Sequence, residues 1–331
     1  MAFYSTLSLD YQTLLTTTLM KVLSTNVIQD QVFNANPLLT WLRSGNRVKV
    51  IDGGERIRIP LMTGKNSTSG SYDSYEILDT SGQEGFTSAF FAWKQYAVSV
   101  AVSGRELRAN GGSKEKVADI QSAKFEQASM SLMDTVSTDV YSDGTGNGSK
   151  AITGLAAMNE TTPGTTEYAS VPTANTYWVN QVQASVGSAT TNLLPKLRTL
   201  VNDCKQGKGA AATKPDFGIT TQAIHEALEA LIYPQVRYAP NPSGGADAGI
   251  DILKFKGINV EWSDYCTSGE FHVLNSNHIM FFIHKDANFS MADGGFQRPI
   301  NQDAFVAQIL FMGNMATNNR RKSGKLAGVT A

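Results

Sequence analysis

Apolar and polar positions first alternate with a period of two. Ile57 and Ile59 are interleaved with Arg56 and Arg58, as in a strand with one apolar and one wet face. This outward strand is expected over Val48 to Met62. Pro60 cannot donate to a ladder, which places it at an edge or a strand end. A turn-rich polar tip follows from Gly64 to Gly85, and the chain returns through Phe86, Phe90, Phe91 and Trp93. The pattern predicts a long β-hairpin. Two strands alone are marginal in water, so these aromatics need a partner, either their own domain or a neighbouring molecule.

Beyond Trp93 the alternation sharpens. Tyr96, Val98, Val100 and Val102 fall on one face, and Ala97, Ser99, Ala101 and Ser103 on the other. Gly111 and Gly112 break the chain. Ser113 is then a candidate N-cap, and Glu115 stands in the first turn, where the helix dipole favours an anion. Phe125, Ala128, Leu132, Val136 and Val140 recur at helical spacing. The helix predicted over about 113–140 would span roughly 40 Å, the length of a spine.

Upstream, Leu14, Leu15, Leu19, Val22 and Leu23 sit at helical spacing, and Leu38, Leu39, Trp41 and Leu42 form a short apolar knot after Asn36-Pro37. A terminal helix docked on its own domain and an arm that orders on assembly both fit. Downstream, Ser142–Gly148 begins like a calcium loop, but the bidentate acid position falls on Gly154. Its glycines also follow a helix, not the strand that a dinucleotide fingerprint requires. It reads as a flexible turn between domains.

Residues 159–180 read as surface loop. Asn192 is a candidate cap for a helix carrying Leu193, Leu197, Leu200, Val201 and Cys204, with Pro195 in its first turn. A short strand at Phe217–Ile219 and a helix carrying Ile224, Leu228 and Leu231 follow. Strands are then expected at Ile252–Phe255, Ile258–Trp262, Phe271–Leu274, His278–His284 and Ala304–Met312. The tail from Asn314 is polar and basic, with Arg320, Arg321, Lys322 and Lys325.

Charge changes the picture little. The 331 residues hold 28 basic and 29 acidic side chains, a net charge of −1, without the basic excess of a dedicated nucleic-acid reader. The length allows two domains. The cysteines, Cys204 and Cys266, lie in no metal or redox spacing. No apolar run is long enough to cross a bilayer, and no signal-peptide pattern opens the chain, so a cytoplasmic product is expected. No Cys, Asp or Glu appears at ligand spacing beside His272, His278 and His284, of which the last two would share a strand face, and His225 reads as helix surface. Phosphate-loop, nucleophile-elbow and metalloprotease motifs are missing. No catalytic residue, metal or cofactor is expected, and the chain reads as a non-enzyme.

The order of the pieces carries more than any one of them. Four segments, in sequence, are the hairpin Val50–Trp93, the helix with its exit turn Ser113–Leu155, the stretch Asn175–Gln181 and the stretch Lys256–Asp264. In that order the chain resembles the major capsid proteins of tailed double-stranded DNA bacteriophages, the HK97-like fold. The resemblance implies an α+β fold in four parts. Residues 1–47 would be an N-terminal arm and 48–93 an extended loop. Residues 94–158 with 290–331 would form a peripheral domain around the spine helix, and 159–289 a mixed α/β axial domain.

It further implies self-assembly into pentamers and hexamers of an icosahedral shell, located in the virion and assembled in the host cytoplasm. The implied partners are other copies of the chain, a separate scaffolding protein, a portal, a decoration protein on the outside and the packaged double-stranded DNA, held non-specifically. No membrane is implied. Ile57, Arg58, Ile59, Phe86, Phe90, Phe91 and Trp93 are the expected inter-subunit contacts of the extended loop. Gly53, Gly54, Gly111, Gly112, Gly144, Gly146 and Gly148 are expected hinges. Arg320, Arg321, Lys322 and Lys325 are candidates to face DNA, and a plain solvated terminus fits them too. Some family members crosslink through a lysine of the extended loop. Lys65 is the lysine of this hairpin, but no acceptor or catalytic carboxylate is identified, and crosslinking is not expected. A tail tube or fibre subunit, or an enzyme with its site in the middle domain, is the competing reading. The first should show repeats or all-β patterning, and the second a pocket of perturbed titrating groups.

Overall fold

The computed structural model describes residues 36–64, 66–109, 114–172, 175–205, 214–232, 253–292 and 295–330. The amphipathic stretch 14–23, Lys65, Gly111, Gly112 and the proposed cap Ser113 lie outside the described residues.

The apolar knot is a capped helix, Pro37–Ser44. Asn36 Oδ1 accepts from the Leu38 amide at 3.0 Å, and Pro37 fills the first turn. Tyr141, the last residue of the long helix, donates to the same Asn36 oxygen at 2.9 Å. Leu38, Leu39 and Leu42 are fully buried. Trp41 stacks on Phe217 at 4.6 Å, with the Arg47 guanidinium 4.3 Å from its ring centre. The segment from Asn36 is thus part of the body.

Two sheets follow. The first has the order β1 (Val48–Ile51), β11 (Ile279–Met291), β12 (Ala304–Thr317) and β4 (Lys94–Ser103). β1 runs parallel to β11, and the other pairs are antiparallel. β4 turns Val100 and Val102 inward as its alternation requires. The long helix, Lys114–Tyr141, packs across β4 and buries the stripe Phe125, Ala128, Leu132, Val136 and Val140. Tyr96 on β4 donates to Asp139 on the helix at 2.6 Å and accepts from the Ile152 amide at 2.7 Å. Burial and that hydrogen bond push its phenol well above the ordinary tyrosine range.

The second sheet has the order β5 (Gln181–Gln183), β13 (Gly324–Leu326), β10 (Phe271–Leu274), β7 (Phe217–Thr220), β9 (Ile258–Trp262) and β8 (Leu253–Phe255). Helices Ala189–Cys204 and Gln222–Ile232 cover it with Leu193, Leu197, Leu200, Val201, Ile224 and Leu228, a second core beside the main one. A small parallel pair, β6 (Gly187–Ser188) with β14 (Val329–Thr330), closes the edge.

Several expectations are corrected. The outward strand Val48–Met62 is two strands. β1 ends at Ile51 inside the four-stranded sheet, and β2 (Arg56–Met62) starts after Gly53 and Gly54, both at φ near +108°. Asn192 lies inside its helix, which begins at Ala189, and its amide donates to the Val186 carbonyl at 2.8 Å. Pro195 therefore sits in the second turn, on an exposed face where water can serve the freed carbonyl. His278 precedes β11 and shares no strand face with His284. The chain returns to the first sheet at Ile279, before the expected position 290, and the final strands β13 and β14 leave it for the second sheet and its edge. The polar tail is interior, because Asn314–Thr317 extend β12 and Ser323–Ala327 are buried.

The turn after the long helix is no loose linker. Gly144, at φ +81°, lies against Thr153 and the Ile152 carbonyl. A side chain at Gly154 would meet the Val140 and Asp139 carbonyl oxygens in the last turn of the helix. Those atoms are backbone and cannot yield cheaply. Gly154→Ala is therefore expected to destabilise the subunit by about 3 kcal/mol. Gly70→Ala, at a position with nothing within 4 Å, should change stability by under about 0.5 kcal/mol. Urea unfolding midpoints of the two variants compare them directly, and equal midpoints would contradict the packing described.

Candidate assembly surfaces

β2 and β3 (Phe86–Ala92) form an isolated two-stranded sheet in the register Arg56↔Ala92 through Met62↔Phe86. Its two faces differ. Ile57, Ile59, Leu61, Ala89 and Phe91 are buried in the main core of their own chain. The Phe90 amide donates to the Ala169 carbonyl at 2.9 Å, and Phe91 meets Tyr168 edge-on at 5.6 Å. Ile57, Ile59 and Phe91 are therefore not free to touch a neighbouring molecule. Trp93 is also engaged, since its Nε1 donates to the Gly54 carbonyl at 2.8 Å and its ring meets His284 at 5.7 Å. The outward face keeps Arg58, Phe86, Phe90 and Met62. Arg58 donates to Ser88 Oγ at 2.9 Å with its guanidinium 5.9 Å from the Phe90 ring centre, while Phe86 and Met62 are exposed.

The tip is less polar than its sequence reading. Tyr72, Tyr75, Ile77 and Leu78 are all exposed, Tyr75 at 101% and Ile77 at 98%. Clustered apolar exposure of this kind marks contact surfaces. Four large apolar residues within seven positions were a visible signal in the sequence. At the base, Pro60, Leu61, Met62, Tyr177, Trp178 and His278 line part of a groove of about 610 Å³.

Beneath the hairpin base lies a buried arginine. Arg320 pairs with Glu160 at 3.0 Å. Its Nε and Nη2 donate to the Met158 and Ala157 carbonyls at 2.6 and 2.8 Å, at the end of the short helix Leu155–Met158. Its guanidinium stands 4.6 Å from the Tyr168 ring centre. A second buried cation, Lys325, donates to Glu270 Oε1 at 2.7 Å, and His272 Nε2 lies 3.2 Å from the other Glu270 oxygen. His272 Nδ1 faces the Asn159 amide nitrogen at 3.4 Å. That nitrogen can only donate, so Nδ1 accepts and Nε2 carries the proton toward Glu270. Burial lowers the His272 pKa, which keeps the ring neutral. Burial alone would raise Glu270, but the contacts with His272 and Lys325 outweigh it and bring the carboxyl down to about 2.

The DNA-facing expectation therefore fails for three of its four residues. Arg320 and Lys325 are only 1% and 2% exposed and serve internal carboxylates, and Lys322 is buried too. Arg321 remains at the surface. Sequence reading also overlooked Glu270, two positions from His272. Among the described residues no group of three His, Cys, Asp or Glu side chains is placed to hold a metal. Of the hinge glycines, Gly53 and Gly54 mark the crossing from the first sheet into the hairpin, where a Cβ would meet only His284 Nε2 and the Arg56 carbonyl, each at an ordinary 3.8 Å. Gly144 and Gly146 are packed, and Gly148 is open at φ +66°.

No protein-family model matches the sequence, and no curated protein matches it. Solved structures do match. The chain is 14% identical to a chain of the cyanophage A-1(L) capsid asymmetric unit, covering 89% of this chain and 93% of that one with a TM-score of 0.64. A chain of the capsid of Myoviridae phage XM1 is 11% identical, with 87% and 91% covered and a TM-score of 0.56. A chain of the satellite phage P4 procapsid, a structure that includes the size determination (Sid) protein, is 10% identical, with 92% and 91% covered and a TM-score of 0.51. The mixed α/β architecture is thus the fold of phage capsid chains.

The ion pairs give a pH prediction. Glu270 is depressed on folding, so its stabilisation is complete above the unfolded value of about 4.3 and is lost as pH falls through about 2. Lys325→Met strands a buried carboxylate and should cost about 3–5 kcal/mol at neutral pH. Adding Glu270→Gln should recover at least half of that. Urea unfolding at pH 7 of the two variants reads this, and a Lys325→Met protein as stable as the parent would contradict it.

Proposed function

We propose that the chain is the major capsid protein of a tailed bacteriophage, whose copies assemble as pentamers and hexamers into an icosahedral shell around double-stranded DNA. The observation that carries this reading is a hairpin with one face locked into its own core and an exposed apolar tip projecting beyond it, on a fold shared with phage capsid chains. In HK97-like terms, the hairpin is the extended loop. The four-stranded sheet with the long helix is the peripheral domain. The six-stranded sheet with its two helices is the axial domain. The inter-subunit set narrows to the outward face, Arg58, Phe86 and Phe90 with Met62, and to Tyr72, Tyr75, Ile77 and Leu78 at the tip.

Shell assembly favours this distribution. Fully covering one large apolar side chain contributes about 1.5–3 kcal/mol, and the cost of fixing two molecules together offsets much of what a four-residue tip gains, so a single tip contact stays reversible. Repeated around each subunit, with interfaces on the order of 1,600 Å², such contacts close a shell while errors can still anneal. Gly53 and Gly54 lie where the loop leaves the body and allow its angle to differ between pentamer and hexamer surroundings. A scaffolding protein, a portal, a decoration protein and the packaged genome are the remaining partners of this reading, and the virion is its location.

Replacing Tyr75 and Ile77 together by Ser removes apolar surface that the subunit does not bury. The double variant should keep subunit stability within about 0.5 kcal/mol of the parent and fail to form shells or capsomers. Sedimentation beside thermal unfolding separates the two properties. Shells of normal size from this variant would remove the tip from assembly.

A further inference from the structure

The turn between β8 and β9 is the tightest kind of hairpin connection. Phe255 pairs with Ile258, leaving two residues, Lys256 at φ +50° and Gly257 at φ +75°. Two successive left-handed residues make a type I′ turn, where Asn, Asp or Gly is favoured at the first position and a lysine is strained. Lys256 Nζ reaches Asn202 Oδ1 at 3.0 Å, an amide and not a carboxylate. Arg198 lies four before Asn202 on its helix, and Lys205, the residue that caps the helix C-terminus with helical backbone angles, lies three after it, so the three share one face. Lys214 completes the group, its ammonium so close to Gly257 that a side chain there would meet it at 2.8 Å.

These four cations have no ion-pair partner among the described residues. The sequence from Lys205 to Lys214 contains no Asp or Glu. Partial desolvation, and then the charges of Arg198, Lys205 and Lys214, push the Lys256 pKa down. The group therefore repels itself, in a chain whose charges otherwise nearly cancel. A strained lysine and a cluster with no ion-pair partner among the described residues both raise the energy of the free subunit, and an external anion relieves the second cost.

We infer that Arg198, Lys205, Lys214 and Lys256 form a binding surface for the phosphate backbone of nucleic acid. Phosphates need only positioned cations and amides. A protein segment would also seek apolar area, yet Arg198, Lys205 and Lys256 stand exposed with no exposed large hydrophobic residue among them. The surface takes the place of the C-terminal tail, where Arg320, Lys322 and Lys325 are buried and only Arg321 stays exposed. Its role in holding a packaged genome rests on the capsid reading, but its phosphate affinity does not.

The test uses the full chain and a fluorescent 20-base-pair duplex, with anisotropy followed from 50 to 200 mM salt. The variant Arg198→Gln, Lys205→Gln, Lys214→Gln, Lys256→Asn should bind at least about tenfold more weakly and lose up to about 3.6 units of salt slope, regardless of duplex sequence. Lys150→Gln, at an exposed lysine elsewhere, should bind within about twofold of the parent. Lys256→Asn alone suits the type I′ turn, so it should raise the melting temperature while still weakening binding, which separates phosphate binding from misfolding. Unchanged affinity and slope in the four-site variant would overturn the inference. So would a parent chain that binds polyglutamate but not duplex. Shell formation by the same variant is followed separately. Shells with unchanged DNA affinity sink only this inference, whereas lost affinity without shells in the parent chain sinks only the capsid reading.

Discussion

A charged arginine in a protein interior must be neutralised and hydrogen-bonded or the interior fails. Arg320 meets that demand with Glu160, two carbonyls at the end of a short helix, and the face of Tyr168. Those partners come from remote parts of the chain, so satisfying one side chain fixes the C-terminal segment, the exit from the long helix and the loop under the hairpin together. Tyr168 then passes the constraint to Phe91 and to Trp178. The hairpin's inner face is held by this stack, and its outer face and tip are left to the surroundings. Lys325 and Glu270 do the same for the second sheet, drawing β13 in beside β10.

A subunit organised this way separates two tasks. Folding uses the inner face of the hairpin, the stripe of the long helix and the two cores. In the proposed assembly, association is left with surface that folding does not need, concentrated at the hairpin tip. Distributed weak contacts of that kind suit a closed shell better than one large, obligate interface, because a wrongly placed subunit can still leave. The glycine pair between β1 and β2 lies at the boundary between the two tasks.

Much of this was legible where one element decides the outcome. The alternation of Tyr96 to Val102 and the spacing of Phe125 to Val140 each report a single face. The helix face is buried, and the strand face is buried at Val100 and Val102 and half-buried at Tyr96 and Val98. What failed depended on distant partners. Alternation showed that Ile57 and Ile59 share a face but not that Phe91 pairs onto it or that residues near Tyr168 cover it. Composition made Arg320 and Lys325 look like a solvated basic tail, because Glu160 and Glu270 become their neighbours only through sheet pairing. Asn192 looked like a cap because a cap and a helical side chain bonding backward to Val186 use the same residue type. Tyr72, Tyr75, Ile77 and Leu78 were overlooked among the serines and glycines around them.

The central claim is that this chain builds a shell by laying one subunit's hairpin tip on another. Electron microscopy of the purified chain, expressed with and without a candidate scaffolding protein, tests it most directly. The account predicts closed shells, or rings of five and six, with density for residues 66–85 resting on an adjacent subunit. A stable monomer or dimer under every condition, or shells whose hairpin tips touch no neighbour, would contradict it.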